Sequence, residues 1–111
     1  FPHGVVHGDT VYVSGQVGID PETGKVVEGG IRAETRRTME NVAAILEAAG
    51  SSLGNAVKVT AFLTDMDEFA AFNEVYVEFF DGRLPARSAV EVSSLSSDLA
   101  VEIEVVAAVE R

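Results

Sequence analysis

Only two segments of this 111-residue chain have a helical period, and each carries a single apolar stripe. From Ile31 onward, Met39, Val42, Ala43, Leu46 and Ala49 recur at three- and four-residue spacing, opposite Arg36, Arg37, Asn41 and Glu47. Gly50 stops this first helix. In the second, Phe69, Phe72, Tyr76, Phe79 and Phe80 fall on one face; Asp65 or Asp67 caps its start, Glu68 suits the positive end of its dipole, and Asp81-Gly82 ends it. The rest alternates with the period of strands. Thr10 to Val17 is rich in strand formers, and the Asp20-Pro21-Glu22-Thr23-Gly24 turn sends the chain back through Val26-Val27 as a hairpin. Val57, Val59, Ala61 and Leu63 alternate with Lys58, Thr60, Phe62 and Thr64. After a turn over Ser93 to Asp98, Val101, Ile103, Val105, Ala107 and Val109 alternate with Glu102, Glu104, Val106 and Ala108. The order hairpin, helix, strand, helix, strand, strand predicts an α+β domain. Two single-stripe helices cover one face of a sheet and not both, so the second face, with Phe62, Val106 and Ala108 beside charges, meets solvent or another subunit. On so small a chain, a half-apolar open face predicts burial in a closed symmetric ring or dimer, with sites at subunit boundaries.

Composition narrows the class. Nearly half of the residues are hydrophobic, which suits one domain with a modest core over residues 1–111. There is no cysteine, so disulfides, thiolate zinc sites and cysteine nucleophiles are excluded, and the chain reads as cytoplasmic. No apolar run approaches the roughly 20 residues of a membrane-spanning helix, and Phe1-Pro2-His3-Gly4 lacks the regions of a signal peptide. The missing initiator Met points to a natural chain that begins before Phe1. Eighteen acids against eight bases give a net charge of −10, which repels phosphate backbones and counts against nucleic acid as a partner. His3 and His7, the two histidines, have no third ligand at a metal-binding spacing, so no metal is expected. Gly29-Gly30 reads as a helix cap or turn, not as a nucleotide fingerprint.

Pro85-Ala86-Arg87-Ser88-Ala89-Val90-Glu91-Val92 puts an arginine inside a strand. Proline cannot donate to a ladder and so introduces the run. The alternation then sends Ala86, Ser88, Val90 and Val92 to one face and Arg87, Ala89 and Glu91 to the other. A guanidinium is always charged, and its planar fork fits a carboxylate with two parallel hydrogen bonds. Arg87 therefore pairs either with a protein acid or with an acidic small molecule.

Several fragments, taken in order, resemble the reactive-intermediate deaminase family, also called RidA or YjgF. They are Val13-Ser14-Gly15-Gln16, Asp20-Pro21-Glu22-Thr23-Gly24, Glu40-Asn41-Val42 with Ile45-Leu46-Glu47-Ala48-Ala49-Gly50, Val57 to Leu63, Phe72-Asn73-Glu74-Val75-Tyr76, Pro85-Ala86-Arg87-Ser88 and Val101-Glu102-Ile103-Glu104. The resemblance implies a chorismate-mutase-like α+β subunit, with one mixed sheet and two helices on one face, assembled as a homotrimer with pockets between neighbouring subunits. It also implies hydrolysis of 2-imino or 2-enamino acids to 2-keto acids and ammonia, without a cofactor.

By the same resemblance, Arg87 matches the arginine that clamps the substrate carboxylate, and Glu102 an acid that holds or activates the attacking water. Ser14 and the Gly15 backbone match the turn lining the pocket, and Asn73 a pocket residue on the second helix. Ala89 stands where deaminases often carry cysteine and keeps the backbone of that position. Phe1, thirteen residues before Ser14, stands where active members commonly carry tyrosine; it keeps the ring and lacks the hydroxyl. The residues by themselves leave plainer readings open. Arg87 could pair with Glu91, Glu102 or Glu104, Glu102 could be a solvated strand residue, Ser14-Gly15 a strand-end bulge, and Asn73 a helix-surface amide. Phe72 and Phe80 belong to the core. Two alternatives accompany the deaminase reading: a regulator that binds 2-keto acids or other small carboxylates without catalysis, and the endoribonuclease or translation-inhibitor role attached to some relatives.

Overall fold

Five strands, β1 (Gly4–His7), β2 (Thr10–Val17), β3 (Ala56–Leu63), β4 (Ala86–Glu91) and β5 (Val101–Ala108), and two helices, α1 (Gly30–Ala48) and α2 (Phe69–Val77), make up the computed structural model, which describes residues 1–110. The strands form one mixed sheet in the order β1-β2-β5-β3-β4, with β3 and β4 parallel and every other pair antiparallel. The last strand in sequence is thus the middle of the sheet. Its alternation explains that place: Val101, Ile103, Val105 and Ala107 are buried beside Val11 and Val13 of β2 and Val59, Ala61 and Leu63 of β3. Both helices cover this face, α1 through Ile31, Met39, Val42 and Leu46, and α2 through Phe72, Val75 and Tyr76. Each large side chain removed from water in this way contributes about 1.5–3 kcal/mol before the entropy of ordering is counted.

No helix among the described residues lies over the opposite face. Phe62 and Val106 are half-buried there, Ala108 is exposed, and Tyr12 is 49% exposed. This is the α+β arrangement with one covered face that the two apolar stripes require. Among the described residues, no helix is long and apolar enough to cross a membrane.

Local chemistry fixes the joints. Gly50, at φ +81°, closes α1 in a Schellman turn: its N–H donates to the Glu47 carbonyl, and the Ser51 N–H donates to that of Leu46. Gly18 lets α1 approach the end of β2, because a Cβ there would come within 2.9 Å of the Glu34 Cα and carbonyl oxygen.

The structure departs from the sequence expectations in four places. The first hairpin is β1 with β2, turned at Gly8 (φ +61°), whereas the return through Val26 is a single bridge to Ile19. Val57, expected inward, is 45% exposed, because the β3–β5 register shifts between Ala56 and Lys58 and hands the inward place to Ala56. Asn41, expected among solvent-facing polar residues, is half-buried. Its Nδ2 donates to the carbonyls of Val17 and Ile19, both at 3.0 Å, and its Oδ1 accepts from Arg37 Nε. Asp65 caps a 3₁₀ turn, Met66–Glu68, by accepting from the Asp67 N–H, and α2 begins only after that turn and ends at Val77, short of Asp81-Gly82.

Candidate functional site

Arg87 lies on β4, an edge strand, opposite Val59 in register, so its side chain points to the helix-covered face. It does not enter the core. The guanidinium carbon lies 4.7 Å from the ring centre of Tyr76, 5.2 Å from that of Phe69 and 5.8 Å from that of Phe72. Such contacts stabilise a cation by about 0.5–2 kcal/mol depending on its desolvation. Arg87 Nη1 also donates to Asn73 Oδ1 at 2.7 Å. Among the described residues Arg87 forms no ion pair. Of the acids considered from sequence, Glu91 accepts from the Met66 N–H, and Glu102 and Glu104 share the opposite face of the sheet. The cation is thus held by three rings and an amide at a sheet edge, with most of its donors unassigned. Ala89, two residues on, is half-buried on the same face and packs against the core.

Glu102 belongs to a different place. On β5 it stands opposite Val17 on one side and Phe62 on the other, and it points to the open face. Its carboxylate folds over Gly15 so closely that a Cβ on Gly15 would overlap it. The β2–β5 register skips Ser14 and Gly15, a bulge that turns both toward this face. The Ser14 hydroxyl is directed at the carbonyls of Pro2 and His3, 3.1 Å from each, so it ties down the N-terminal segment and leaves lone pairs for anything else. Phe1, fully exposed, borders a depression of about 510 Å³ on the open face, together with Tyr12, Ser14, Lys58, Thr60 and Glu104. Across that face Lys58 Nζ donates to Ser88 Oγ at 3.0 Å.

The sequence-predicted residues therefore fall into two groups that do not meet within one chain. Arg87, Asn73 and Ala89 form one, at the β4 edge beside α2; Glu102, Gly15, Ser14 and Phe1 form the other, on the open face. Chemically, the first can grip a planar anion and the second can orient a water molecule. Of the rings beneath Arg87, sequence reasoning assigns Phe72 to the core and places Phe69 and Tyr76 only on the apolar stripe of the second helix. The available signal was Asn73 set between Phe72 and Tyr76, which puts an amide at the margin of an aromatic stripe.

One mixed sheet covered on one face by two helices, with an arginine at its edge, defines an α+β domain with an open sheet face. The family model described as Endoribonuclease L-PSP matches residues 1–109, and the chain belongs to the YjgF/RidA family. A RutC family protein of Pyrococcus horikoshii is 52% identical over 100 residues, which are 90% of this chain and 79% of that protein. The 2-iminobutanoate/2-iminopropanoate deaminase of Mus musculus is 46% identical over 98 residues, 88% of this chain and 73% of the mouse protein. Among solved structures, RidA from an Antarctic Psychrobacter superposes with a TM-score of 0.94 at 44% identity, covering 98% of this chain and 88% of that one. Escherichia coli TdcF with bound serine gives 0.94 at 41%, covering 99% and 88%.

Proposed function

We propose that this protein hydrolyses reactive 2-imino and 2-enamino acids to 2-keto acids and ammonia, at pockets built where the β4 edge of one subunit meets the open sheet face of its neighbour. The observation that carries this reading is the separation of Arg87 from Glu102 onto opposite faces of one sheet. A carboxylate clamp and a water-orienting acid placed in that way serve one substrate only when two copies come together. The helix-free face supplies the apolar surface for such contact, and the family resemblance supports a homotrimer as the assembly.

In this mechanism Arg87 takes the substrate carboxylate in a bidentate pair, with Asn73 holding the other side of the guanidinium. Glu102 of the neighbouring subunit accepts a proton from water as the oxygen attacks the C=N carbon. The C–N double bond becomes single, giving a carbinolamine. Glu102 hands that proton to nitrogen, and the carbinolamine hydroxyl then gives its own proton to nitrogen through the same carboxylate as the C–N bond breaks, so ammonia leaves and the carbonyl forms. No redox partner enters and the atoms balance with one water consumed. The Ala89 and Gly15 backbones line the reacting centre. The mammalian relatives named as 2-iminobutanoate/2-iminopropanoate deaminases support the substrate class, and a serine-bound neighbour supports a small amino- or keto-acid ligand.

A second reading keeps the pocket and drops the turnover. It is favoured by Phe1, which supplies no phenol as proton donor, and by Ala89, which supplies no thiol. One experiment separates the two. With 2-aminoacrylate or its four-carbon homologue generated in place by a serine/threonine dehydratase, the deaminase accelerates ammonia release and Arg87→Ala does not. Equal rates with and without wild-type protein, alongside saturable binding of a 2-keto acid, select the regulator.

A further inference from the structure

Tyr76 is 2% exposed, and its buried hydroxyl makes no hydrogen bond of full geometry among the described residues, while the Arg87 side chain lies close enough to act on it as a donor. An unpaired buried hydroxyl costs free energy that phenylalanine at the same place would avoid. Its neighbours in the same aromatic row, Phe72 at 5.5 Å and Phe80 at 5.0 Å between ring centres, are phenylalanines. Packing therefore accounts for the Tyr76 ring and not for its oxygen.

The ring is the nearest of the three to the Arg87 guanidinium, at 4.7 Å. A guanidinium has five N–H donors. One goes to Asn73 Oδ1, and a carboxylate gripped in the fork takes two, so two more need acceptors when the site is filled. On the buried side of the guanidinium, the Tyr76 oxygen is an acceptor within reach of an Arg87 N–H. Burial raises the pKa of this phenol while the Arg87 charge and an Arg87 side-chain hydrogen bond oppose the shift, so the hydroxyl stays neutral and its oxygen serves as an acceptor for Arg87.

We propose that Tyr76 is a positioning residue for Arg87: its ring fixes the height of the guanidinium, and its oxygen accepts an inner N–H as the fork closes on a carboxylate. This role rests on the reading of Arg87 as a carboxylate clamp. It also makes the three rings and Asn73 a preformed seat, so that little side-chain entropy remains to be lost on binding.

Calorimetric titration with 2-ketobutyrate, paired with melting temperatures, tests it on wild type, Arg87→Ala, Tyr76→Phe and Tyr76→Leu. The role predicts that Arg87→Ala abolishes binding. Tyr76→Phe weakens binding on the order of tenfold while its melting temperature holds or rises, and Tyr76→Leu, which also removes the ring, binds more weakly still. Wild-type affinity in Tyr76→Phe overturns the positioning role while the loss in Arg87→Ala leaves the clamp standing. Unchanged binding in Arg87→Ala, or none by wild type, removes the clamp and the role with it.

Discussion

Arg87 Nη1 donates to Asn73 Oδ1 at 2.7 Å, joining the β4 edge to α2 by a neutral acceptor where a carboxylate would have cancelled the charge. The amide orients the guanidinium and leaves it cationic for an outside anion. Asn73→Asp puts a carboxylate in the same place and creates an internal ion pair that competes with the ligand. Affinity for a 2-keto acid should fall on the order of tenfold or more, with stability unchanged or raised, as read by titration and by melting. Equal affinity in the two proteins contradicts the argument.

Gly15 and Glu102 make a second sensitive contact. A Cβ on Gly15 overlaps the Glu102 carboxylate, which is the free end of a flexible side chain and can swing aside. Gly15→Ala should therefore leave the melting temperature almost unchanged while moving the acid. A misplaced water-orienting group costs on the order of a hundredfold in rate. Loss of stability in proportion to the loss of rate would make Gly15 a packing residue only.

Glu34 provides a pH test. Its buried carboxyl accepts the Ala100 N–H at 2.8 Å. Burial, the largest cause, raises its pKa from the ordinary 4.5; the Ala100 hydrogen bond opposes this, and the charge of Glu68 adds to it. The folded state thus binds this proton more tightly than the unfolded chain does. Its contribution to stability is present below 4.5 and is lost as pH rises through the folded value. Glu34→Gln keeps an acceptor for Ala100 and removes the titration. The variant should be more stable than wild type near neutrality, and the gap should close toward about pH 4 in a series of melting curves. A gap independent of pH contradicts the assignment.

Much of the architecture is legible in the residues, for physical reasons. The 3.6-residue stripe of α1, the Gly50 stop and the two-residue alternation of β5 are each imposed by burial on one side, and burial leaves a pattern in sequence. The four-residue β1 leaves almost none, since Val5 and Val6 are both 51% exposed. Its one signal is the Gly8-Asp9 pair between strand formers, a two-residue hairpin turn. The bulge at Val57 is invisible because a register shift of one residue depends on the partner strand. Asn41 looks like any polar residue beside an apolar stripe until the carbonyls of Val17 and Ile19 arrive from another part of the chain. Alternation along β4 and β5 assigns Arg87 and Glu102 each to a face of its own strand. That these are opposite faces of the whole sheet follows only from the insertion of β5 between β2 and β3, which is a property of topology.

In the proposed assembly one site takes Arg87 from one subunit and Glu102 from another. Arg87→Ala and Glu102→Gln proteins, each inactive alone, are mixed, unfolded and refolded together, and imine-dependent ammonia release is measured. If the two residues come from different subunits, roughly a quarter of the pockets in an equal mixture regain both groups and activity returns to about that fraction of wild type. If both came from the same subunit, no pocket would hold the pair and the mixture would stay as inactive as its parts.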